Sequence, residues 1–292
     1  MLKPSRIYAA AGHIALVLVT LSMIAPLVLV FMSSVTEEST LITDGYSFWP
    51  QEFSLDAYLY IAQNAETIFR AYGITILVTV VGTVVGLLLT STLAFALSVP
   101  ELPGRRTFAF LVFFTLLFNG GLVPSYIMWS SLGVRNTVFA YILPSLLLNA
   151  FNVLLMRTYY QVNIPTEIYE AAKLDGAGYF RIYFQLVLPL GKPILVIIGL
   201  FIALAYWNDW TNGLYYVNDP DLFSIQTFLN KIIQDIQALS NNSTGGSVVT
   251  TNVPTVSVRM AISFVALLPL LVLYPLIQRY FAKGIMVGAV KG

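Results

Sequence analysis

Charged residues are scarce in this chain, and several reactive residue types are missing or nearly so. Of its 292 residues only 10% are charged and 58% are hydrophobic, whereas a soluble domain carries about 25% charged residues. There is no cysteine, which excludes a disulfide framework and a thiolate metal site. The single histidine, His13, lies at the start of the first apolar segment, where an interfacial position is favoured over a ligand role. This composition predicts an integral membrane protein.

The sequence also lacks the motifs of an energy-converting or nucleic-acid-binding protein. The only Gly-Lys pair, Gly191-Lys192, is followed by proline, so there is no GxxxxGK[ST] phosphate loop. No Ser-His-Asp set, paired-carboxylate site or metal-ligand cluster is recognisable. A net charge of +1 gives no electrostatic footprint for nucleic acid. We therefore expect no catalytic residue, no metal and no cofactor bound by this chain, and no nucleic-acid partner.

Long apolar segments dominate what is present, and the mean hydropathy is +0.79. A membrane helix needs about 20 largely apolar residues. Six candidate spans meet this condition, and they predict an all-α polytopic membrane protein with a single domain, 1–292. The spans are approximately 11–32, 72–98, 107–129, 136–156, 194–216 and 257–280. Within the second span, Gly82 and Gly86 have a small-xxx-small spacing that suits close helix packing, by default within the chain rather than at a dimer seam.

The distribution of basic residues predicts the orientation. Six spans place both termini on one side, and cytoplasmic loops carry the excess of Lys and Arg. With both termini in the cytoplasm, four basic residues lie outside: Arg70, Arg135, Lys231 and Arg259. The other 11 of the 15 then lie inside: Lys3, Arg6, Arg105, Arg106, Arg157, Lys173, Arg181, Lys192, Arg279, Lys283 and Lys291. We therefore expect cytoplasmic N and C termini.

A charged, glycine-broken segment lies between the fourth and fifth spans. Residues 163–176 predict a short helix, because Ile164-Pro165 favours a helix start and Gly176 a helix stop. Ile164, Ile168, Ala171 and Ala172 fall on one apolar face of that helix. At about 11 residues the helix is too short to be stable alone. We expect it to dock on another surface, and an amphipathic connector lying on the membrane is the alternative.

The same segment carries a recognisable motif. Glu170-Ala171-Ala172 is followed three residues later by Asp175-Gly176, and ten residues after Gly176 by Leu186-Val187-Leu188-Pro189. The pattern resembles the EAA loop of the permease subunits of ABC importers, with Leu186 where isoleucine is usual. The resemblance implies that Glu170, Ala171, Ala172, Asp175, Gly176, Leu186, Leu188 and Pro189 belong to a cytoplasmic coupling helix and its continuation, which dock on an ATPase subunit.

The resemblance extends to nearly the whole chain. The runs Phe118–Pro124, Ala205–Trp210 and Phe281–Gly292 look like those of the carbohydrate-uptake branch, and the chain is similar to the maltose-type inner-membrane permeases, closest to Gram-positive oligosaccharide permeases. This implies a multi-pass protein of the bacterial plasma membrane that takes up oligosaccharides by ATP-driven alternating access. The implied partners are a second, non-identical permease, two ATPase subunits that hold ATP and Mg, and an extracellular solute-binding protein. The tail with Gly284, Gly288 and Gly292 would reach toward the ATPase subunits.

Polar and aromatic residues inside the spans are candidates for the transport pathway. Polar side chains are costly in a bilayer and mark pathways, although aromatics also form interfacial belts and asparagines also bond neighbouring helices. Asn149 and Asn152, three residues apart, are expected on one helix face. The further candidates are Tyr126, Trp129, Tyr206, Trp207, Asn208, Asp209, Trp210 and Asn212. Both readings, pathway and packing, stay open for these residues.

Two alternatives to oligosaccharide uptake remain from the sequence. A permease of an ABC importer for another small polar solute would have the same motif, and a non-transporting membrane scaffold is a different class, which a soluble signalling domain would favour. The sequence does not separate neutral from acidic sugars. Arg135 and Arg259, at the outer ends of spans, could attract uronic acids, although such arginines are usually interfacial anchors.

Overall fold

The computed structural model describes residues 6–242 and 256–289, and these residues are almost entirely helical. Within the described ranges the only β pairing is an isolated bridge between Thr36 and Phe53. The first helices are α1 (Arg6–Ser34), α2 (Glu38–Thr43), α3 (Asp56–Gln63), α4 (Ala65–Ser98), α5 (Arg105–Leu117), α6 (Leu122–Ser131), α7 (Phe139–Ile142) and α8 (Ala150–Asn163). They are followed by α9 (Thr166–Leu174), α10 (Tyr179–Ile182), a π-helical turn (Tyr183–Val187), α11 (Leu188–Leu190), α12 (Lys192–Trp207), α13 (Thr211–Tyr216), a 3-10 turn (Pro220–Leu222), α14 (Ile225–Asn242) and α15 (Val256–Ala289).

The chain divides into two compact units. The first comprises residues 1–68 and 229–272, and the second comprises residues 69–228 and 273–292. In the first unit, the carboxylate of Glu38 accepts hydrogen bonds from the backbone N–H of Val256 and Ser257, both at 2.8 Å, and from the Ser257 hydroxyl at 2.7 Å. These are the donors that the start of a helix leaves unpaired, so Glu38 caps α15. Nearby, the rings of Phe31 and Phe264 pack with centroids 4.9 Å apart.

The second unit contains the larger apolar core, built from α4, α8 and α12. Ala94, Leu97, Val153, Met156 and Ile198 are completely buried there. Burial of this kind stabilises a fold by about 25 cal/mol for each Å² of apolar surface that is removed from water. The core therefore packs α4, α8 and α12 together.

Glycines of α4 allow this close packing. A Cβ at Gly82 would overlap the ring of Tyr206, and one at Gly86 would lie 3.1 Å from the Leu147 carbonyl oxygen and 3.5 Å from Ile202 Cγ2. The small-xxx-small pair thus packs against α12 within the chain. The prediction of packing within the chain is confirmed for these two glycines.

Among the residues that the structure describes, two helices are long and apolar enough to cross a membrane, namely Ala10–Ser34 and Ala65–Ser98. Two bent pairs raise the number to four if each pair is one span. Residues 256–272 form a shorter apolar stretch within α15. The all-helical membrane character of the chain is confirmed, and the count of six spans stays a prediction.

The predicted span 107–129 is not one straight helix. It consists of α5 and α6, which are bent by 115°. The break falls at Asn119-Gly120-Gly121, where Gly121 has a φ of 89° and donates its N–H to Asn119 Oδ1 at 2.9 Å. A left-handed glycine and an Asx turn both end a helix, so this segment is a bent helix pair, and its assignment as one membrane span stays a prediction.

The predicted spans 136–156 and 194–216 are also interrupted. In the first, Ser145 directly follows Pro144 and has a φ of 64°, a backbone conformation in which a helix does not continue. Only α7 precedes this break, and α8 begins after it. In the second, α12 ends at Trp207 and α13 begins at Thr211. Both segments are therefore broken helices, and their assignment as membrane spans stays a prediction.

A glycine-to-alanine pair on α4 tests the packing. Gly82→Ala should destabilise the protein by about 1–3 kcal/mol, because the added methyl group overlaps the Tyr206 ring. Gly73→Ala is the matched control, since a Cβ there meets no atom within 4 Å and alanine favours a helix by up to about 1 kcal/mol. Thermal unfolding of the detergent-purified protein measures both. Equal melting temperatures for the two variants would contradict the close approach of Tyr206 to α4.

Candidate functional site

The Glu170 segment forms the short helix that the sequence predicts. Helix α9 begins after Pro165 and ends in a left-handed Gly176 with a φ of 77°. The Gly176 N–H donates to the Lys173 carbonyl at 3.0 Å, and the Ala177 N–H donates to the Ala172 carbonyl at 2.9 Å. These two bonds make a Schellman motif, which satisfies carbonyls that a helix end leaves unpaired. Gly176 as the stop is confirmed, and the helix itself is 166–174.

One face of α9 packs against its own chain. Tyr169 and Ala172 lie against the core of the second unit, and the Tyr169 ring stacks on Phe95 with centroids 6.5 Å apart. Phe95 in turn lies 5.4 Å from the Tyr183 ring. The predicted apolar face is correct for Ile164 and Ala172, but Ala171 is exposed. The inward face centres on Tyr169 because its large ring buries more surface than a methyl group does.

The opposite face of α9 is open. Its most exposed apolar residue is Leu174, at 89%. The other exposed residues of this face are Glu167, Glu170, Ala171, Lys173 and Asp175. No described residue of the chain covers Leu174 or the charged residues around it. We call these residues the open face of α9.

An ion pair fixes α9 laterally. Lys173 Nζ lies 2.7 Å from Glu101 Oε1 and 5.6 Å from the centroid of the Tyr179 ring. The hydrogen bond from Lys173 lowers the pKa of the Glu101 carboxyl, and the same bond raises the pKa of the Lys173 ammonium. The pair therefore ties α9 to the turn between α4 and α5, and it does so while both partners remain exposed to solvent.

A pocket of about 210 Å³ lies beneath α9. Its wall includes Tyr160, Tyr169, Glu170 and Arg105. The Tyr160 side chain is completely buried, and its hydroxyl has no hydrogen-bond partner in the described part of the chain.

The second half of the motif adopts an unusual backbone. Residues Tyr183–Val187 form a π-helical turn, and α11 with Leu188 and Pro189 follows directly. Leu186 and Leu188 are half-buried, whereas Pro189 is exposed. Proline has no N–H to donate to the preceding turn, which favours this wider winding. π-Turns occur frequently at functional sites.

A sharp bend follows the π-helical turn. The helical segment Tyr179–Leu190 and α12 meet at 82°, and Gly191 lies at the bend. Its N–H donates to the Val187 carbonyl at 2.7 Å, and a Cβ there would lie 2.8 Å from both that oxygen and Tyr160 Cε1. Only glycine fits this close approach. The bend connects the motif rigidly to α12.

The two candidate asparagines do not share a helix face. Asn149 precedes α8, and its side-chain oxygen accepts a hydrogen bond from the Asn152 N–H at 3.2 Å. It is the N-cap residue of α8, a common role for asparagine. Asn152 is buried, whereas Asn149 is exposed. The prediction of a shared face was wrong because the helix begins only at Ala150.

Several candidates of the fifth span are buried and paired. Asp209 accepts hydrogen bonds from the Asn212 N–H at 3.1 Å and from Asn212 Nδ2 at 2.8 Å. Asn212 Nδ2 also donates to the Pro144 carbonyl at 3.1 Å. The Tyr206 hydroxyl donates to the Ile142 carbonyl at 2.9 Å. These three side chains hold the break between α12 and α13 against the break after α7.

The remaining candidates differ in exposure. Asn208 and Trp210 are exposed, while Trp207 is buried and its indole N–H has no partner among the described residues. Trp129 is half-buried and packs on the core. Tyr126 stacks on Tyr216. The structure thus brings Tyr206, Asp209 and Asn212 together, and leaves Asn208 and Trp210 facing outward from the chain.

Sequence reasoning missed a second polar group beside these residues. Thr75 Oγ1 accepts a hydrogen bond from the Ile225 N–H at 2.9 Å, and the Tyr141 hydroxyl accepts one from the Ser224 N–H at 3.1 Å. Thr227 lies 3.1 Å from the same Tyr141 hydroxyl. Together they cap the start of α14. The only available signal was the Ser-x-x-Thr spacing at 224–227, because the partners lie more than 80 residues away.

Two of the tail glycines lie within the described ranges. Gly284 and Gly288 fall inside α15, and Gly292 lies outside the described residues. Their proposed approach to another subunit stays a prediction.

Comparison with known sequences decides the family. Residues 10–287 match the family described as the inner membrane component of binding-protein-dependent transport systems. The chain belongs to this family. It is therefore an inner-membrane transport component, and the motif at Glu170 lies in the family's matched region.

Three relatives place this transport component more closely. It is 36% identical over 280 residues to the polygalacturonan/rhamnogalacturonan transport system permease protein YtcP of Bacillus subtilis. The match covers 95% of this chain and 96% of that protein. It is 28% identical to the arabinooligosaccharides transport system permease protein AraQ of Halalkalibacterium halodurans, over 91% of each chain. A solved bacterial ABC transporter involved in the import of the acidic polysaccharide alginate contains a chain with a TM-score of 0.79 and 30% identity, over 96% of this chain and 99% of that one.

Removal of the ion pair should loosen α9 of this transport component. In Glu101→Gln, we expect hydrogen exchange of residues 166–174 at neutral pH to rise by about twofold to fivefold, as for other exposed pairs. Because the folded pKa of Glu101 is lowered, the pair stabilises the protein above the ordinary value of 4.5 and is lost as the pH falls through the lower folded pKa. Asp175→Asn, on the same helix, is the control and should leave the exchange unchanged.

The exchange of charges gives a second check on this pair. Glu101→Lys combined with Lys173→Glu should restore slow exchange, because the attraction is kept with its sign reversed. Exchange in the double variant as fast as in Glu101→Gln would mean that the pair does not hold α9.

Proposed function

We propose that this chain is the permease subunit of a binding-protein-dependent ABC importer that takes up oligosaccharides. Family membership supports the transport role, and the names of the relatives, which include a polygalacturonan and an arabinooligosaccharide permease, support a sugar substrate. The single observation that carries the coupling role is the open face of α9, which is anchored on one side yet covered by no residue in the described part of the chain.

The proposed topology has six membrane crossings with both termini in the cytoplasm. Helices α1, α4 and α15 make three crossings, and the bent pair α5–α6, the pair α7–α8 and the segment from Tyr179 through α13 make the others. The proposal treats 1–292 as one membrane domain. The charge distribution supports this orientation, since it leaves the Lys and Arg residues of the α4–α5 and α8–α12 connections inside.

The open face of α9 docks on an ATPase subunit in this proposal. The exposed Leu174 supplies an apolar contact, and Glu170 and Asp175 supply polar contacts around it. The partners are two ATPase subunits, which bind ATP and Mg²⁺, a second non-identical permease and an extracellular solute-binding protein. This chain carries no part of ATP hydrolysis and acts as a mechanical relay. The tail with Gly284, Gly288 and Gly292 approaches the same ATPase subunits.

Movement passes from α9 to the membrane helices by two routes. The Lys173–Glu101 pair pulls on the turn before α5, and the π-helical turn with Leu186, Leu188 and Pro189 pushes on α12 through the bend at Gly191. When ATP closes the ATPase dimer, α9 is displaced and the pathway opens outward to receive the sugar. Hydrolysis returns it to the inward-open state, as in other hinged transporters.

The pathway residues take two roles in this proposal. Asn208, Trp210 and Asn149 are exposed and can contact the sugar directly through hydrogen bonds and stacking. Asn152, Tyr206, Asp209 and Asn212 instead hold the helix breaks that shape the pathway. Trp207, Trp129 and Tyr126 line or support its wall.

A pair of glycine substitutions tests the coupling role. Gly176→Ala places a side chain at a φ of 77° and costs about 1 kcal/mol or more, which should distort the end of α9. Gly178→Ala is the matched control, because Gly178 has a φ of −73° and open space around it. We expect Gly176→Ala to lower sugar uptake per ATP hydrolysed in proteoliposomes at least severalfold. Gly178→Ala should leave that ratio unchanged.

Glutamates of the open face give an independent pair. Glu170→Lys should uncouple hydrolysis from uptake, whereas Glu167→Lys, one turn earlier and equally exposed, should have a smaller effect. Membrane insertion should be normal in both, as judged by the amount of protein in the membrane. Normal coupling in both Gly176→Ala and Glu170→Lys would remove α9 as the coupling element.

Single cysteines test the topology and the covered face together, because the chain has none of its own. In intact cells, an impermeant maleimide should label Trp49→Cys, since Trp49 is 75% exposed and lies in the first outer loop. It should label Leu174→Cys only after permeabilisation, and only when the ATPase subunits are absent. Labelling of Leu174→Cys from outside would reverse the proposed orientation, and equal labelling with and without the ATPase would exclude docking at this face.

A further inference from the structure

We propose that Arg135 binds the carboxylate of an acidic sugar, so that the substrates of this importer include uronic-acid oligosaccharides. This inference rests on the proposed function and specifies the charge of its substrate. The residues that carry it are Arg135 and two tyrosines, Tyr126 and Tyr216, which lie together in the second unit.

Arg135 stands on a turn that is held tightly. Two residues of the turn after α6 are left-handed, Gly133 with a φ of 73° and Asn136 with a φ of 52°. The Asn136 N–H donates to the Tyr216 carbonyl at 2.9 Å. Its side-chain oxygen accepts hydrogen bonds from the N–H groups of Asn218 at 2.6 Å and Asp219 at 3.3 Å. The backbone at Arg135 is therefore fixed to the end of α13.

An aromatic pair orients the guanidinium. Arg135 Cζ lies 5.6 Å from the centroid of the Tyr126 ring, within the range of a cation–π contact. Tyr126 stacks on Tyr216 with centroids 5.8 Å apart and planes inclined by 16°, and Tyr216 is only 3% exposed. Buried Tyr216 therefore fixes half-buried Tyr126, and the Tyr126 ring holds the exposed Arg135 side chain in place.

No described residue of the chain neutralises the charge of Arg135. Among the described residues its guanidinium makes no ion pair and no hydrogen bond, in contrast to Arg70, which pairs with Asp221. Asp219, whose N–H bonds the Asn136 side chain, accepts a hydrogen bond from the Asp221 N–H at 3.0 Å. It forms no ion pair with Arg135. All five donors of the Arg135 guanidinium are thus available.

A planar guanidinium that is oriented and unpaired matches a carboxylate. Its parallel N–H groups bind both oxygens at once, which a point charge such as lysine does not reproduce. A neutral sugar offers only hydroxyl groups and gains little from the charge. A lipid phosphate would also be attracted, but a lipid anchor needs only a flexible charged side chain, whereas this one is held by a stacked pair and a clamped turn.

Binding of a uronic-acid trisaccharide and of its neutral methyl ester tests the assignment. Saturation-transfer NMR on the complete purified importer, without its binding protein, measures the permease alone. The wild type should bind the free acid more tightly than the ester. Arg135→Gln should weaken binding of the acid about tenfold, the loss of one charge-assisted contact, and leave the ester unchanged. Arg135→Lys should fall between the two.

A second variant separates orientation from charge. Tyr126→Leu should weaken acid binding about severalfold, whereas Tyr126→Phe, which keeps the ring over which the cation lies, should not. The melting temperature should stay unchanged in both Arg135 variants, which shows that the fold is intact.

The outcomes distinguish this inference from the function on which it rests. Equal losses for acid and ester, or a loss that depends on the anionic lipid content of the bilayer, would overturn the carboxylate site and assign Arg135 to structure or to lipid. Uptake of neutral oligosaccharides by the wild type, with no effect of Arg135→Gln on the acid, would overturn it while the sugar importer stands. Failure of the assembled importer to take up any oligosaccharide would remove the proposed function itself.

Discussion

Two breaks in apolar helices satisfy one another, and the architecture of the second unit depends on this exchange. The carbonyls of Ile142, at the end of α7, and of Pro144, just after it, accept hydrogen bonds from Tyr206 in the last turn of α12 and from Asn212 in α13. A bilayer core offers no water to do the same, and each unsatisfied group there costs several kcal/mol. The breaks are therefore tolerable only as a pair. Asp209 completes the arrangement because it fixes Asn212 through two hydrogen bonds.

The same arrangement supports the proposed relay of movement through the helices of the second unit. Tyr206 both closes one break and fills the space over Gly82, so α12 is fixed to α4 at this level. Toward the other end of α12, Gly191 and Val187 connect it to the π-helical turn, and from there to α9. In the proposed function, a displacement of α9 passes through the short turn at Gly176, the segment Tyr179–Leu190 and the bend at Gly191 before it reaches the paired breaks. Packed interiors shift between discrete arrangements rather than deform smoothly.

The sequence predicted local features best where the signal is local. Pro165 and Gly176 mark the ends of α9 because their backbone preferences act within a few residues, and the structure agrees. The apolar composition likewise indicated membrane helices. It did not locate the breaks within 107–129, 136–156 and 194–216, since hydropathy averages over a window and does not register a left-handed Gly121 or Ser145. The partners of Thr75 and Tyr141 are distant in sequence, so no pattern could have paired them. Asn149 was expected on a helix face, but it lies just before α8 and caps that helix.

In the described part of the chain, residues 10–24 of helix α1 form an apolar stretch in which no residue is buried, and Pro26 lies just beyond it. Because a helix pairs its interior backbone groups within itself, α1 needs only lipid or another subunit around these side chains. It can therefore enter the bilayer as soon as it leaves the ribosome, before any residue of the core has been synthesised. The self-sufficient helix α1 is thus synthesised first, and the broken helices, which depend on one another, are synthesised after it.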